Sequence, residues 1–436
     1  MLLYGRGSPT DSLSADDLRA GLEKALAALG RRRKVLLLPP DFTRFHSRAG
    51  ELTRMAWEHF GSAVTDILPA IGTHFPMREA EIERMFGDIP RSLFRVHDFR
   101  AGVVTLGQVP AEYIREVSEG KLDYPWPAQV DRLLQGGGHD LILSFGQVVP
   151  HEVIGFASYN KNVLIGTGGA EGISKSHYLG AVHGLERIMG RADTPVRRVL
   201  SYGASRFARH LPVVYVHTVL APDAAGKLHT RGLYIGQDDE CFTAAADLSL
   251  KVNFQMLEKP LAKVVVYLDP GEYKSTWLGN KSVYRTRMAI ADGGELLVLA
   301  PGLETFGEDK EIDRLIRKYG YVGTPRVLDI VAKSDDIRAN LSAAAHLIHG
   351  SSEGRFRITY CPGKLTAEEI RSVGFEHGDL QAALKRYDPS RLTPGRNVLG
   401  GGEEIFYVPN PALGLWAYRG RFEQSDRGSN KAEGVQ

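Results

Sequence analysis

The sequence predicts an α/β protein of two domains, the first a doubly wound, mostly parallel sheet. Three observations carry that expectation. At 436 residues the chain is too long for one ordinary core. Short apolar runs alternate with amphipathic stretches through its first half, the pattern of parallel βαβ units. Near Asp269-Pro-Gly the alternation starts again.

In chain order, Ser14 ahead of Asp-Asp-Leu opens a capped helix that Gly30 closes. Lys34-Val-Leu-Leu-Leu-Pro-Pro is apolar throughout and stopped by prolines, hence a buried strand. A helix over 48–60 leads to a second strand, Val64-Thr-Asp-Ile-Leu-Pro-Ala, and 79–86 is helical. Asp140-Leu-Ile-Leu-Ser-Phe is a third strand, and 213–220 and 262–268 are further ones. After the restart come a helix over 281–291, a strand at 295–300, a helix at 309–319 and a strand at 355–360. The expected domains are 1–268 and 269–422, with an active site in the cleft between them. The polar end, 423–436, is expected to be disordered.

Composition narrows the functional classes. Hydrophobic residues at 43% and charged residues at 24% are those of a globular protein. With 54 basic and 52 acidic residues the net charge is +2, which offers no excess for nucleic acid. The one basic run, Arg31-Arg-Arg-Lys34, abuts a strand and reads as solvated. Two cysteines, Cys241 and Cys361, exclude a disulfide framework and fit a reducing cytoplasm. Met1–Thr10 lacks the apolar core of a signal peptide, and no stretch approaches the ~18–20 apolar residues that span a bilayer. A cytoplasmic protein without membrane or nucleic-acid partners is expected.

Ligands of open α/β sheets bind beyond the carboxyl ends of the strands, where loops converge. Asp41-Phe-Thr43-Arg44 follows the first strand, Gly72-Thr-His74 the second, and Pro150-His151 the third. Each alone reads equally as a cap, a solvated charge or a hydrogen-bonded histidine; three at one sheet edge point to a site. Beyond them lie Lys161, the run Gly166-Thr-Gly168-Gly169-Ala-Glu-Gly172, and His177. The glycines suit either a phosphate-binding turn or a flexible connection. They match neither the dinucleotide fingerprint nor the P-loop. His177 has no second histidine at helical spacing to complete a zinc pair. A metal on it would draw its other donors from a cofactor.

These segments together resemble the lactate racemase family. Asp41-Phe-Thr-Arg44 is similar to its D-x-T-R segment, Gly72-Thr-His74 to its first histidine motif, and His151-x-x-x-Gly155-Phe156 with Lys161 to its second. The resemblance implies a nickel-pincer nucleotide, a pyridinium-3-thioamide-5-thiocarboxylate mononucleotide, attached covalently through Lys161. It implies nickel on His177, acid/base roles for His74 and His151, and nucleotide contacts from Asp41, Thr43, Gly168 and Gly169. Arg44, Trp277 and Lys281 would meet substrate. Two bases are wanted because C2 inversion through a planar 2-keto acid needs a proton-transfer group on each face.

The chain departs from the family at two places. Tyr159-Asn160 stands where a Gly-Gly pair usually precedes the lysine, and Trp277-Leu278-Gly-Asn-Lys281 stands where Y-Q-x-x-K is usual. The wording Pro40–Ser47 with Thr73–Met77 resembles a sugar-acid branch, and Tyr273, Lys274, Ser275, Thr276 and Asn280 could hydrogen-bond a polyol. The expected activity is therefore C2 epimerisation of an aldonic acid such as D-gluconate or D-mannonate, with partners limited to the 2-hydroxy acid, cofactor-making proteins and other copies of the chain. A racemase of lactate or malate, a metal-dependent hydrolase and a non-catalytic acid-binding protein are the alternatives.

Overall fold

The computed structural model describes residues 1–223 and 226–430. The chain divides into two compact units, 1–179 with 189–253, and 180–188 with 254–436. In the first, a six-stranded sheet holds β1 (Leu2–Gly7), β2 (Val35–Leu38), β3 (Val64–Ile67), β4 (Leu141–Gln147), β5 (Val213–Pro222) and β6 (Leu228–Gly236) in the order β1-β6-β5-β4-β2-β3. The run β5-β4-β2-β3 is parallel; β6 and β1 add an antiparallel edge. All four side chains of β2 are buried, as a strand covered on both faces requires.

Helix α1 (Ala15–Leu29) starts where the Ser14 and Asp17 side chains and amides cap one another, and it buries Leu18, Leu22, Ala25 and Leu26. With α2 (Ala49–Phe60) it covers one face of the sheet, packing on Val35, Leu37, Leu143, Val214 and Val216. Strand β2 has β3 on one side and β4 on the other. The chain order reverses there, and this is the switch point where such sheets bind ligands.

The second unit has its own six-stranded sheet, with β7 (Leu261–Tyr267), β8 (Ile290–Ala300), β9 (Arg357–Pro362), β10 (Glu376–His377), β11 (Gly395–Val398) and β12 (Glu404–Val408) ordered β10-β9-β8-β7-β12-β11. Strand β7, expected to belong to the first sheet, pairs instead with β8 and β12. An apolar run tells that a strand is buried, not which sheet buries it, so the division falls after Asn253 rather than 268. The helix expected to reach 291 stops at Thr286, and β8 begins at Ile290.

The expected disorder from 423 is also corrected, since Arg419–Asn430 is helical. Arg419 pairs with Glu258 at 2.8 Å and Arg421 with Asp292 at 2.8 Å, anchoring a polar helix that composition alone leaves loose. Residues 431–436 of that expected tail lie outside the described residues. Among the described residues no helix is long and apolar enough to cross a membrane.

Candidate active site

The loops leaving β2, β3 and β4 carry the site. Asp41 is buried at the start of a 3-10 turn over Phe42–Ser47. Its carboxylate accepts a hydrogen bond from the Thr43 hydroxyl and lies 2.6 Å from Nδ1 of the more exposed His74. Burial alone would raise the Asp41 pKa. The His74 and Thr43 hydrogen bonds and the Arg44 charge overcome that and hold it below the usual carboxylate value. An ionised Asp41 accepts a hydrogen bond from Nδ1–H of His74, which leaves Nε2 bare when that ring is neutral, the tautomer of a base.

His151, on the hairpin after β4, shows the opposite arrangement. The Val153 amide donates to its Nδ1 at 3.2 Å, so the neutral ring carries its proton on Nε2. Burial drives its pKa well down. The neighbouring Glu152 opposes this, and the charges of Lys161, Arg44 and His177 add to it. Glu152 Oε2 is 3.9 Å from Nδ1. The two histidines stand in complementary tautomers, one an acceptor and one a donor.

Lys161 lies in the first turn of a short helix, α3 (Asn160–Leu164). Burial and the Arg44 charge push its amine down to about 8, against the pull of Asp41 and Glu152. His177 sits in α4 (Ala170–His183) and donates from Nδ1 to the Ile173 carbonyl, one turn back, at 2.7 Å. This bond points the bare Nε2 away from the helix as a lone-pair donor. Burial lowers His177 below its ordinary pKa, and the Ile173 carbonyl partly offsets that. Asp41, Arg44, His151, Glu152, Lys161 and His177 thus shift one another's proton affinities, which places them in one electrostatic neighbourhood.

The donor set fits a nickel-pincer nucleotide. A buried amine near neutrality can become an acyl acceptor, and an imidazole with a bare Nε2 suits Ni(II) among soft donors. Among the described residues no group of three or more His, Cys, Asp or Glu side chains is arranged to hold a metal.

The glycine-rich run behaves differently from expectation. The Gly168 amide is turned inward to the Ile165 carbonyl at 3.2 Å and so is not presented to a phosphate. A Cβ on Gly168 would lie 2.1 Å from the Leu164 carbonyl oxygen, and one on Gly169 would lie 2.2 Å from Gln129 Oε1. Close packing against backbone accounts for Gly168, while the neighbour of Gly169 is the end of a side chain. His97 buttresses the same turn, its Nε2 3.0 Å from the Gly168 oxygen and its Nδ1 2.8 Å from Asp131.

In the second unit, Trp277 packs at a tilt of 32° against His346 with centroids 4.4 Å apart, and Lys281 Nζ lies 5.7 Å from the Tyr273 ring centroid. Tyr273, Ser275, Thr276 and Asn280 are fully buried. The Tyr273 hydroxyl donates to Asn410 at 2.9 Å, and Ser275 donates to Glu308. Thr276 donates to the Phe306 carbonyl at 2.9 Å, and Asn280 Oδ1 accepts from Tyr360 at 2.7 Å. They are internal bracing rather than a polyol-binding loop.

Residues 20–188 match the family described as the lactate racemase N-terminal domain. Over this segment, less than half of the chain, the sequence is similar to that family. No curated protein matches it at the sequence level. A crystal structure of a Thermotoga maritima protein is similar at 24% identity and TM-score 0.78, covering 95% of this chain and 100% of that one. The lactate racemase apoprotein of Thermoanaerobacterium thermosaccharolyticum is similar at 16% identity and TM-score 0.66, covering 94% and 90%. These likenesses bear out the α/β fold. Asp41, Arg44, His74, His151, Lys161 and His177 all fall inside the matched segment. Glu152 and the Arg197 described below also fall in the first unit, and sequence reasoning passed over both, because a glutamate after a histidine and an arginine in a helix read as solvated charges.

Proposed function

We propose that the protein inverts C2 of a 2-hydroxy acid with a nickel-pincer nucleotide held by Lys161 and His177. The observation that carries this reading is the pair of histidines in complementary tautomers beside a lysine whose amine is pushed down to about 8. Such a nucleotide, held by Lys161 and His177, would supply the hydride-accepting chemistry that C2 inversion needs. A carboxylate substrate suits the planar fork of Arg44. His74, with Nε2 bare, would take the hydroxyl proton as hydride leaves C2 and return it to the same oxygen once C2 is reduced on its other face, while Nε2–H of the neutral His151 hydrogen-bonds that oxygen. A metal on His177 takes its remaining donors from the nucleotide, which cofactor-making proteins would have to supply.

The resemblance of Pro40–Ser47 and Thr73–Met77 to a sugar-acid branch supports an aldonic acid. The internal bonding of Tyr273, Ser275 and Thr276 favours the second reading, a short acid such as lactate or malate, since these side chains are spent within the fold.

The test is enzyme coexpressed with the cofactor-making proteins and offered D-gluconate, D-mannonate, lactate and malate in deuterated water. Inverted product retaining hydrogen at C2 is expected. Full exchange of C2 with deuterium in a single turnover would replace hydride transfer by proton abstraction, and turnover of none of the four would remove the assignment.

A further inference from the structure

The turn that delivers Lys161 is strained. Ser158 and Tyr159 have φ of 71° and 61°, and Tyr159 combines its φ with ψ of −142°, a region that glycine tolerates and a tyrosine does not. Such a backbone persists only where its surroundings over-determine it. Arg197, buried on α5 (Pro195–Gly203), is what surrounds it. Its guanidinium donates to the Phe156 carbonyl at 2.7 Å, to the Ser158 carbonyl at 3.4 Å and to Asn160 Oδ1. Three acceptors on five consecutive residues leave that stretch one path.

The same group lies 4.3 Å from the Phe242 ring centroid, and Phe242 stacks on Tyr159 at 5.1 Å and 15°. Tyr215 packs on the Tyr159 ring with centroids 4.5 Å apart, and His217 Nδ1 lies 3.0 Å from the Ser158 hydroxyl. Asn162 ties the far side of Lys161 to the Phe145 carbonyl of β4 at 2.8 Å. The lysine is thus flanked by two anchored residues, Asn160 and Asn162, with Arg197 fixing the strained side.

We infer that Arg197 is a positioning residue for Lys161: it clamps the Ser158–Tyr159 turn in a glycine-like conformation and so sets where the amine stands. The inference deepens the proposed function by naming what holds its attachment point, and it rests on that reading for its purpose alone. A planar, multiply donating guanidinium is needed because one ammonium cannot bridge Phe156, Ser158 and Asn160 at once.

The experiment uses the full chain without cofactor and measures acetylation of Lys161 by acetic anhydride, read by peptide mass spectrometry. It compares wild type, Arg197→Lys, Arg197→Met, Tyr159→Gly and Tyr159→Gly/Arg197→Met, with thermal unfolding of each. In Arg197→Met, Lys161 acetylation is expected to change about 10-fold relative to surface lysines, with little rescue in Arg197→Lys. In the Tyr159→Gly background, where the turn is at ease without a clamp, the same substitution should change it less than about 3-fold. Wild-type acetylation in Arg197→Met, or equal effects in both backgrounds, would overturn the clamp. Where Arg197→Met fails to fold, Arg197→Lys against Tyr159→Gly/Arg197→Lys decides by the same criterion. In a separate preparation coexpressed with the cofactor-making proteins, absence of a nucleotide adduct on wild-type Lys161 would sink the proposed function and leave these ratios standing.

Discussion

Asp41 Oδ2 stands 2.6 Å from His74 Nδ1, on a loop from one parallel strand while His74 rides the loop from the next. Because Asp41 is held ionised, the pair fixes which ring nitrogen of His74 is bare. His151 is fixed in the opposite sense by a backbone amide. Which ring nitrogen accepts and which donates is therefore set in both histidines without moving either ring.

Asp41→Asn keeps the shape of that pair and removes its charge. The expected result is a loss of about 10–100-fold in kcat/KM, the usual effect of removing a histidine's orienting partner, with a thermal midpoint near wild type. Steady-state kinetics on cofactor-loaded enzyme checks it. An unchanged kcat/KM would remove His74 from the acid/base pair.

His177→Ala should lose nickel while the fold stays intact, since its Nδ1 bond to Ile173 is internal to one helix. Lys161→Ala should lose the covalent adduct. Metal analysis and intact mass after coexpression with the cofactor-making proteins read the two separately. Wild-type nickel content in His177→Ala would move the metal elsewhere.

The three loops were legible because alternating apolar runs locate parallel strands, and parallel strands deliver their following loops to one edge. Asp41, His74 and His151 come from that argument alone. Lys161 and His177 needed the family resemblance, because a lysine in a short helix has no signature of its own. Sequence alone did not show the packing at Gly168, because a glycine demanded by packing and one demanded by an anion look alike. Tyr273 and Thr276 were misread because polar residues suggest a surface, and only the fold shows their partners Asn410 and Phe306. Glu152 and Arg197 escaped because burial of a charge is a tertiary property.

Gly168→Ala tests the packing account directly. The added methyl would meet a backbone oxygen at 2.1 Å, which cannot rotate away. Overpacking of this kind costs roughly 1–3 kcal/mol, and a lower urea midpoint is expected even without cofactor. A midpoint equal to wild type would restore Gly168 to a purely binding role.

Burial of Lys161 makes a prediction about pH and stability. Its amine is pushed down to about 8 from 10.5, chiefly by burial and then by Arg44. A lysine with a lowered folded-state pKa binds fewer protons folded than unfolded between those two values. Stability therefore rises with pH across that window, and the penalty is fully present below about 8. At 1.36 kcal/mol per tenfold step, the penalty is roughly 3 kcal/mol. Lys161→Met should remove it, so the variant is more stable than wild type at pH 7, and the gap closes as pH climbs from 8 toward 10.5. Chemical denaturation of both proteins at pH 7, 8, 9 and 10 measures the difference, in which all other titrations cancel. A difference that stays flat across the four pH values would mean that the amine keeps its proton in the folded protein, and the acyl-acceptor role assigned to Lys161 would fall with it.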